Sequence, residues 1–296
     1  MKLVNLSKWV LVFVVICMIY SCRSTNDPTP PAGMDDEEQM DEEITPLSII
    51  DLNNWKVTLP IGGPTEIEPP QILNYPNIEV LEKYMYDDAD EMALVFYTEP
   101  GSSTANSSYS RTELREQMNP GSNSTNWTFG QGGKMKGTLR LSDISKDAQG
   151  EYHRTIIMQI HGRLTNEQRD LIGEDDNNAP PVLKIYWEDG LINVRRKVLK
   201  DINVNELDIL KKTAWKDEGY FFEKEVGFDP FTLEIEAKDD YLRVTLNDGE
   251  EEVVYQDIHM EKWGIFENYF KAGNYLQTTE TNSHAEVKYF SLTVTH

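Results

Sequence analysis

The stretch Tyr109-Ser-Arg-Thr-Glu-Leu-Arg-Glu-Gln117 lies between two segments of small polar residues, 101–108 and 119–126. A run of this length bounded by turn-forming residues is typical of a β-strand. Side chains alternate between the two faces of a strand. One face would therefore carry Arg111, Glu113, Arg115 and Gln117, and the other Thr112, Leu114 and Glu116.

Two arginines and a glutamate on one sheet face are unusual, because an apolar interior does not accommodate unpaired charges. One interpretation is a solvated outer face with a cross-strand ion pair. The other is the floor of a cleft for an anionic ligand, since a guanidinium group forms paired hydrogen bonds with a carboxylate. The strand by itself does not decide between them.

A second stretch, Ile156-Ile-Met-Gln-Ile-His161, carries polar side chains in the same alternating way. Gln159 and His161 share one face, whereas Met158 and Ile160 point to the other. A single histidine in an apolar strand is usually a structural residue. A glutamine on the same face makes burial in an apolar layer less favourable, because both side chains need hydrogen-bond partners.

The third stretch is Tyr269-Phe-Lys-Ala-Gly-Asn-Tyr-Leu-Gln277, in which one face would carry Tyr269, Lys271, Gly273, Tyr275 and Gln277. Gly273 predicts room between Lys271 and Tyr275, as at positions where a ligand approaches a strand. An alternative is an exposed edge strand protected by its lysine. Together the three strands offer cations for carboxylates and a His–Tyr pair for proton transfer, which favours a site for a carboxylated polymer.

From Ile49 onward the sequence shows many short alternating runs separated by Gly, Asn, Asp and Pro, and no long helical period. This pattern predicts an all-β sandwich or barrel. Asn247-Asp-Gly249 is a hairpin signal between predicted strands 241–246 and 252–255. Short helices are predicted over 166–171, 203–212 and 260–266. No linker interrupts residues 49–296, so we interpret them as one domain.

The formal net charge of −23 argues against nucleic acid as a partner. The two cysteines, Cys17 and Cys22, lie near the N-terminus, so the body has no disulfide and no cysteine-based metal site. Neither a His-Glu-x-x-His motif nor a glycine-rich phosphate loop occurs. We therefore expect no metal and no cofactor, and we expect a monomer.

Residues 1–22 have the features of a secretory signal, with two lysines, an apolar run from Trp9 to Tyr20 and the end Ile19-Tyr-Ser-Cys22. This end resembles a bacterial lipoprotein cleavage box. Cys22 would then be lipidated and would anchor an exported protein at the outer membrane or cell surface. The alternative is plain secretion. The acidic, proline-containing residues 23–48 predict a disordered linker.

The acidity is not confined to the linker. Residues 1–22 contain two lysines, and eight acids and one base lie between Arg23 and Ile49, which leaves a net charge of −18 on residues 50–296. An acidic body repels a polyanion at long range. We therefore expect a local basic cleft on an acidic shell, which would suit salty surroundings because salt screens the repulsion.

The motifs Ser110–Arg115, Gln159–His161 and Tyr269–Gln277 occur in the order found in alginate lyases of polysaccharide lyase family 7, and they closely resemble those of that family. Trp55–Pro60 resembles the first strand of the same family. The resemblance extends over residues 49–296. It implies a concanavalin A-like β-jelly roll of two antiparallel sheets, with a cleft on the concave face.

By this resemblance the chain would cleave alginate by β-elimination and form unsaturated uronate ends without a cofactor. Arg111 and Gln159 would neutralise the substrate carboxylate, and His161 and Tyr275 would transfer protons. Four further side chains would bind neighbouring sugar units, namely Glu113, Arg115, Lys271 and Gln277. Ile160, in the middle of the second motif, implies a preference for guluronate-containing blocks over polymannuronate.

Two other functions fit a polar sheet face. A non-catalytic carbohydrate-binding sandwich is the main alternative, although pure binding does not require a proton-transfer pair. A glycoside hydrolase would need two carboxylates flanking the scissile bond, and no such pair occurs on a predicted strand. Residues 162–181 and 199–220 are candidate loops over the cleft, and their closure would decide between action within chains and action from chain ends.

Overall fold

A computed structural model describes residues 44–104 and 107–296. The predicted signal segment, Cys22 and most of the predicted linker lie outside these residues. Within them, the strands are β1 Trp55–Leu59, β2 Thr65–Ile67, β3 Met85–Asp88, β4 Ala93–Thr98, β5 Arg111–Glu116, β6 Trp127–Thr128, β7 Gly133–Ile144, β8 Thr155–Arg163, β9 Asn178–Glu188, β10 Leu191–Leu199, β11 Trp215–Phe221, β12 Phe231–Lys238, β13 Tyr241–Leu246, β14 Glu251–Gln256, β15 Glu267–Leu276 and β16 Ala285–Thr295. The helices are α1 Asn166–Ile172 and α2 Ile258–Trp263, and 3₁₀ turns occupy Gln71–Asn77, Glu79–Leu81, Asp208–Leu210, Lys212–Ala214 and Asn247–Gly249.

The strands form two antiparallel sheets. The nine-stranded sheet has the order β11-β10-β9-β8-β15-β5-β1-β2, with β6 paired to β15. The seven-stranded sheet has the order β14-β13-β12-β7-β16-β4-β3. This architecture confirms the all-β jelly-roll sandwich expected from the sequence. The three polar motifs lie on β8, β15 and β5, which are direct neighbours in the larger sheet.

The core between the sheets follows from the alternation of apolar and polar side chains. In β12, Phe231, Leu233 and Ile235 are buried, whereas Thr232 and Glu234 between them point outward. Ile160 of β8 and Phe270 of β15 are fully buried in the same core. Each such side chain contributes about 1.5–3 kcal/mol when it is buried. The opposite face of the nine-stranded sheet, which carries His161 and Lys271, is called the cleft face below.

The predicted hairpin is confirmed, since β13 pairs with β14 across Asn247–Gly249, whose three residues all have positive φ. Helices α1 and α2 lie where short helices were expected, but residues 203–212 form only 3₁₀ turns. β11 is a further difference, because it occupies part of the predicted loop 199–220. Six of its seven residues are exposed, so this edge strand lacks the apolar alternation that identifies strands. β9 likewise begins at Asn178, inside the predicted loop 162–181.

The first described residues are held against the domain by hydrogen bonds. The amide of Ile44 donates to Asn77 Oδ1 at 2.8 Å. The amides of Leu47 and Ser48 donate to the carboxylate of Asp87 at 2.9 and 3.1 Å. Contacts with the domain therefore begin within the last five residues of the predicted linker. In the described part of the chain, no helix combines the length and the apolar composition needed to cross a bilayer.

Candidate active site

The cleft face of the nine-stranded sheet carries a cleft of about 950 Å³. Seven of the eight predicted catalytic and substrate-binding residues line it, namely Arg111, Arg115, Gln159, His161, Lys271, Tyr275 and Gln277. The eighth, Glu113, lies beneath the cleft surface and is 1% exposed. Alternation on β5, β8 and β15 puts these side chains on one face, and the pairing of the three strands brings the motifs together.

The buried carboxylate of Glu113 connects the three motifs. It accepts hydrogen bonds from Arg111 Nη1 at 3.2 Å, from Gln159 Nε2 and from Lys271 Nζ. A buried carboxylate with these partners is both charge-paired and hydrogen-bonded. Glu113 therefore fixes one donor on each of the three strands, which prepares them to face a ligand without further reorganisation.

Arg111 is held from two directions. Its guanidinium carbon lies 3.8 Å from the centre of the Tyr275 ring, and one of its terminal nitrogens pairs with Glu113. Its Nε is buried and has no hydrogen-bond partner among the described residues. An unpaired buried donor costs about 1–3 kcal/mol, so this nitrogen offers a position that an anionic ligand would satisfy.

The hydroxyl of Tyr275 is hydrogen-bonded to Ser107 Oγ. Ser107 Oγ also accepts from the amide of Tyr109 at 3.0 Å and donates to the carbonyl of Tyr109 at 3.2 Å. Either hydroxyl can be the donor in the bond that they share. Ser107, which the sequence interpretation had not singled out, therefore holds the Tyr275 hydroxyl in place.

His161 has a defined tautomer. Its Nδ1 lies 2.9 Å from the carbonyl oxygen of Gly162, which can only accept, so Nδ1 carries the hydrogen and Nε2 keeps a free lone pair. The ring stacks on Tyr269 with a centroid distance of 5.1 Å. Burial, and then the charge of Lys271, lowers the pKa of His161 to about 3. The imidazole is therefore neutral, as a general base must be.

Two more cations complete the floor of the cleft. Burial lowers the pKa of Lys271 to about 8, although the carboxylate of Glu113 acts in the opposite direction. The guanidinium of Arg115 lies 4.1 Å from the ring centre of Tyr269 and donates to Asn126 Oδ1 at 2.9 Å. Arg111 and Lys271 pair with Glu113, and Arg115 adds a third cation, so these four side chains carry a net positive charge.

Residues on the cleft face align in two transverse rows, because neighbouring strands are in register. The first, the cation row, runs through Lys56, Arg115, Lys271, Gln159, Lys184 and Arg195. The second, the aromatic row, runs through Arg111, Tyr275, Ile156, Tyr186, Asn193 and Phe221. The cation row thus places a positive side chain on five of six adjacent strands.

The two rows diverge across the sheet. They are two residues apart on β9, three apart on β8 and four apart on β15, because the register shifts by one residue at each step. At about 3.4 Å per residue, the separation is about 7 Å on β9 and at most about 14 Å on β15, where the bulged residue bends the strand. The hydroxyl of Tyr289, from the other sheet, donates to the carbonyl of Ile157 and accepts from the amide of Gly273 at this point.

Gly273 has a different role from the one predicted. Its φ is +133°, and a Cβ atom there would lie 2.7 Å from the carbonyl oxygen of Thr112 and 3.0 Å from Glu113 Cα. The glycine is therefore required by the close approach of β5 and by the register shift. The predicted room for a ligand is not the reason for this residue.

Besides Ser107, the cleft residues that sequence reasoning missed include Tyr269, Lys184 and Tyr186. Tyr269 was placed on the correct face but was given no role, although it contacts both His161 and Arg115. Lys184 and Tyr186 of β9 also line the cleft. Their strand was predicted, but its place beside β8 depends on pairing, which alternation within one strand does not reveal.

Comparisons with known proteins concern the domain as a whole. A family model described as "Alginate lyase" matches residues 50–296. The crystal structure of alginate lyase A1-II′, described as a member of polysaccharide lyase family 7, is 30% identical with a TM-score of 0.67, and the match covers 86% of this chain and 99% of that one.

Two more solved structures are similar. An altered form of the same lyase in complex with the substrate GGMG is 28% identical with a TM-score of 0.66, covering 85% of this chain and 96% of that one. The alginate lyase from Klebsiella pneumoniae, at 20% identity and a TM-score of 0.64, covers 86% and 99% of the two chains and shows the fold alone. No curated protein sequence matches the chain.

Proposed function

The chain belongs to the alginate lyase family and is a polysaccharide lyase, and we propose that it cleaves alginate by β-elimination in the cleft over β5, β8 and β15. The observation that supports this most directly is the convergence in one cleft of a neutral His161, a hydrogen-bonded Tyr275 and the cations Arg111, Arg115 and Lys271. A non-catalytic carbohydrate-binding sandwich would not require the neutral His161 or the hydrogen-bonded Tyr275.

The proposed reaction begins with neutralisation of the uronate carboxylate. The proton at C5 is weakly acidic while the adjacent carboxylate keeps its full negative charge. Arg111, through its unpaired Nε, and Gln159 are positioned by Glu113 to face that carboxylate. Donors fixed in advance stabilise the enolate-like transition state without reorganisation during the reaction.

Two proton transfers complete the proposed reaction. His161 Nε2 accepts the C5 proton, the electron pair forms the C4–C5 double bond, and the bond from C4 to the glycosidic oxygen breaks. That oxygen takes the proton of the Tyr275 hydroxyl. Solvent then returns a proton to the phenolate and removes one from His161. A general acid or base of this kind contributes roughly 10²–10⁴-fold to the rate.

The remaining predicted residues divide into two groups. We propose that Arg115, Lys271 and Gln277 bind sugar units, since all three line the cleft. Glu113 was predicted to do the same, but its carboxylate is buried and already has three donors. We therefore propose that it positions Arg111, Gln159 and Lys271 instead of contacting sugar.

Incubation with alginate, followed by the ultraviolet absorbance of unsaturated uronate ends, tests the function. The unaltered protein should produce this absorbance. His161→Ala and Tyr275→Phe should each lose at least roughly 10²-fold in kcat while their thermal unfolding stays unchanged. Binding of alginate without any unsaturated product would favour the carbohydrate-binding sandwich. Near-normal turnover in Tyr275→Phe would contradict the role given to that residue.

We propose a preference for guluronate-containing blocks, which Ile160 supports through the family resemblance. Guluronate and mannuronate differ in configuration at C5, so the proton to be removed lies on different sides of the ring. Ile160 is fully buried in the core and can act only by shifting the strand that carries His161. A methylene in direct contact is worth about 1–3 kcal/mol, so an indirect effect is smaller. A kcat/KM that favours polymannuronate over polyguluronate would contradict the proposal.

We also propose that Cys22 carries lipid and that the acidic linker tethers the domain to a membrane surface, at the outer membrane or cell surface. The motif before Cys22 and the composition of residues 23–43 support this. In cell fractionation, Cys22→Ala should move the protein from the membrane to the soluble fraction. An unchanged membrane fraction would contradict the anchor.

A further inference from the structure

The cleft face continues beyond the cleft toward the edge strand β11. Along the aromatic row, Tyr275 is in register with Ile156, then with Tyr186, Asn193 and finally Phe221. Phe221 is 47% exposed. The row that passes through Tyr275 therefore ends on a half-exposed aromatic ring at the margin of the sheet.

Alternation on β11 determines the face on which Phe221 lies. Asp217 belongs to the same face, and its carboxylate pairs with Lys184, which lines the cleft, at 3.0 Å. Tyr220 points the other way, since its ring contacts Phe222, a fully buried core residue. The neighbours Tyr220 and Phe221 have similar exposure, 43% and 47%, but lie on opposite faces of the sheet.

A buried polar atom next to this ring has no partner. Asn193 is 1% exposed and donates from Nδ2 to Glu188 at 2.7 Å, but its Oδ1 has no hydrogen-bond partner among the described residues. A Cβ atom built at Gly219 would lie 3.5 Å from that oxygen, so Oδ1 faces the space above the glycine. A sugar hydroxyl is a donor that would satisfy it.

Positive charge surrounds the same place. Glu188 pairs with both Arg154 and Arg195, each at 3.3 Å. The guanidinium carbon of Arg195 lies 4.9 Å from the ring centre of Tyr186. Two arginines with one carboxylate leave a net positive charge, which would attract an anionic sugar unit.

We propose that Phe221, Asn193 and Arg195 form a distal binding site for a uronate unit of the same alginate chain. The ring of Phe221 packs against the apolar side of the sugar, Asn193 Oδ1 accepts from a hydroxyl, and Arg195 faces a carboxylate. The proposal rests on the function proposed above and is continuous with that cleft, since both lie on one row.

The distance between Phe221 and Tyr275 predicts that the contribution of the distal site depends on the length of the alginate chain. Four strand spacings of about 4.8 Å put Phe221 on the order of 19 Å from Tyr275. A substrate only a few units long that is bound at His161 and Tyr275 does not reach Phe221, whereas the polymer does. Loss of the distal site should therefore weaken the binding of long substrates and leave the binding of the shortest ones unaffected.

The test compares Phe221→Ala with Tyr220→Ala as a matched control and with Phe221→Tyr, which keeps the ring. KM and kcat are measured on alginate oligosaccharides of defined length, from the shortest that is cleaved to the polymer. Phe221→Ala should raise KM for the polymer roughly threefold to tenfold, the effect of losing one aromatic contact. On the shortest substrate, Phe221→Ala should have the same kcat/KM as the unaltered protein. Tyr220→Ala and Phe221→Tyr should have unaltered KM and kcat on every substrate.

Unchanged polymer kinetics in Phe221→Ala would overturn the proposal. An equal loss on the shortest substrate and the polymer would overturn it as well, because that pattern indicates damage to the catalytic centre. If the unaltered protein forms no unsaturated product from any substrate, the proposed function itself fails, and the distal site with it.

Discussion

At the scale of single residues, the cleft cations are each held by a particular partner before any substrate arrives. Lys271 donates to Glu113, Lys56 pairs with Glu66 at 2.5 Å, and Lys184 pairs with Asp217. A long cationic side chain loses rotamer freedom when it binds an anion. Fixing these side chains within the folded protein removes much of that cost from substrate binding.

Ser107 gives the first prediction. Removing its hydroxyl in Ser107→Ala leaves Tyr275 without the partner that holds its hydroxyl in place, so kcat should fall about fivefold to tenfold while KM changes little. Steady-state kinetics on alginate check this. Ser107→Thr keeps a hydroxyl and should recover most of the rate, and Ser108→Ala is the control for the loop. A loss in Ser107→Ala that appears in KM alone would contradict the role.

Lys271 gives a prediction about pH. Its pKa is lowered to about 8, so the side chain is charged below pH 8 and loses its charge as the pH rises through that value. At pH 9 about nine-tenths of the lysine is neutral, and KM for alginate should have risen by up to about tenfold. KM measured from pH 7 to 9.5 checks this.

The control for the pH prediction is Lys271→Arg. Arginine stays protonated throughout this range, so the rise in KM between pH 7 and 9 should disappear in the variant. A KM that is flat with pH in the unaltered protein, or a rise that persists in Lys271→Arg, would show that another group is responsible.

At the scale of elements, the register shifts in β8 and β15 decide which side chains reach the cleft. The Tyr289 hydroxyl bonds to both strands where they shift. Tyr289→Phe would leave a buried amide and a buried carbonyl without a partner and should cost about 1–3 kcal/mol of the free energy of unfolding. Denaturant unfolding measures this loss.

The control for Tyr289→Phe is Tyr86→Phe, which removes a half-buried hydroxyl bonded to Glu286 at 2.9 Å. Tyr86→Phe should lower the free energy of unfolding by less than Tyr289→Phe does. Tyr289→Phe should also lower kcat, because the backbone that carries Tyr275 is held at Gly273. Equal stability of the two variants, with full activity in both, would contradict the view that Tyr289 fixes the register.

The sequence predicts which face of a strand a side chain occupies better than it predicts which strands pair with each other. Alternation alone correctly placed Arg111, Gln159 and Lys271 on one side and Ile160 and Phe270 on the other, because the side-chain period of a strand is fixed. Alternation within a strand carries no information on pairing. The divergence of the two rows, the burial of Glu113 and the contact from Ser107 to Tyr275 all depend on pairing.

At the scale of the whole molecule, a basic cleft lies on a body with a net charge of −18 over residues 50–296. Repulsion between this body and alginate acts over about 30 Å at 0.01 M salt, about 8 Å at 0.15 M and about 3 Å at 1 M. KM for the polymer should therefore first fall as salt is added. It should rise again near 1 M, where the attraction of the cleft cations is screened as well.

A series of KM measurements in sodium chloride tests this, with the shortest cleaved oligosaccharide as the control. A short substrate carries few charges outside the cleft, so its KM should fall less than that of the polymer when salt is first added. A KM for the polymer that only rises, starting from the lowest salt concentration, would show that repulsion by the acidic shell has no effect on binding.

The divergence of the two rows also gives the groove a direction. Its narrow end lies over β9 and β10, and its broad end over β15 and β5. An alginate chain has two different ends, so its two orientations in such a groove are not equivalent. The two fragments formed by cleavage therefore lie on differently spaced side chains, and we expect them to leave in a fixed order.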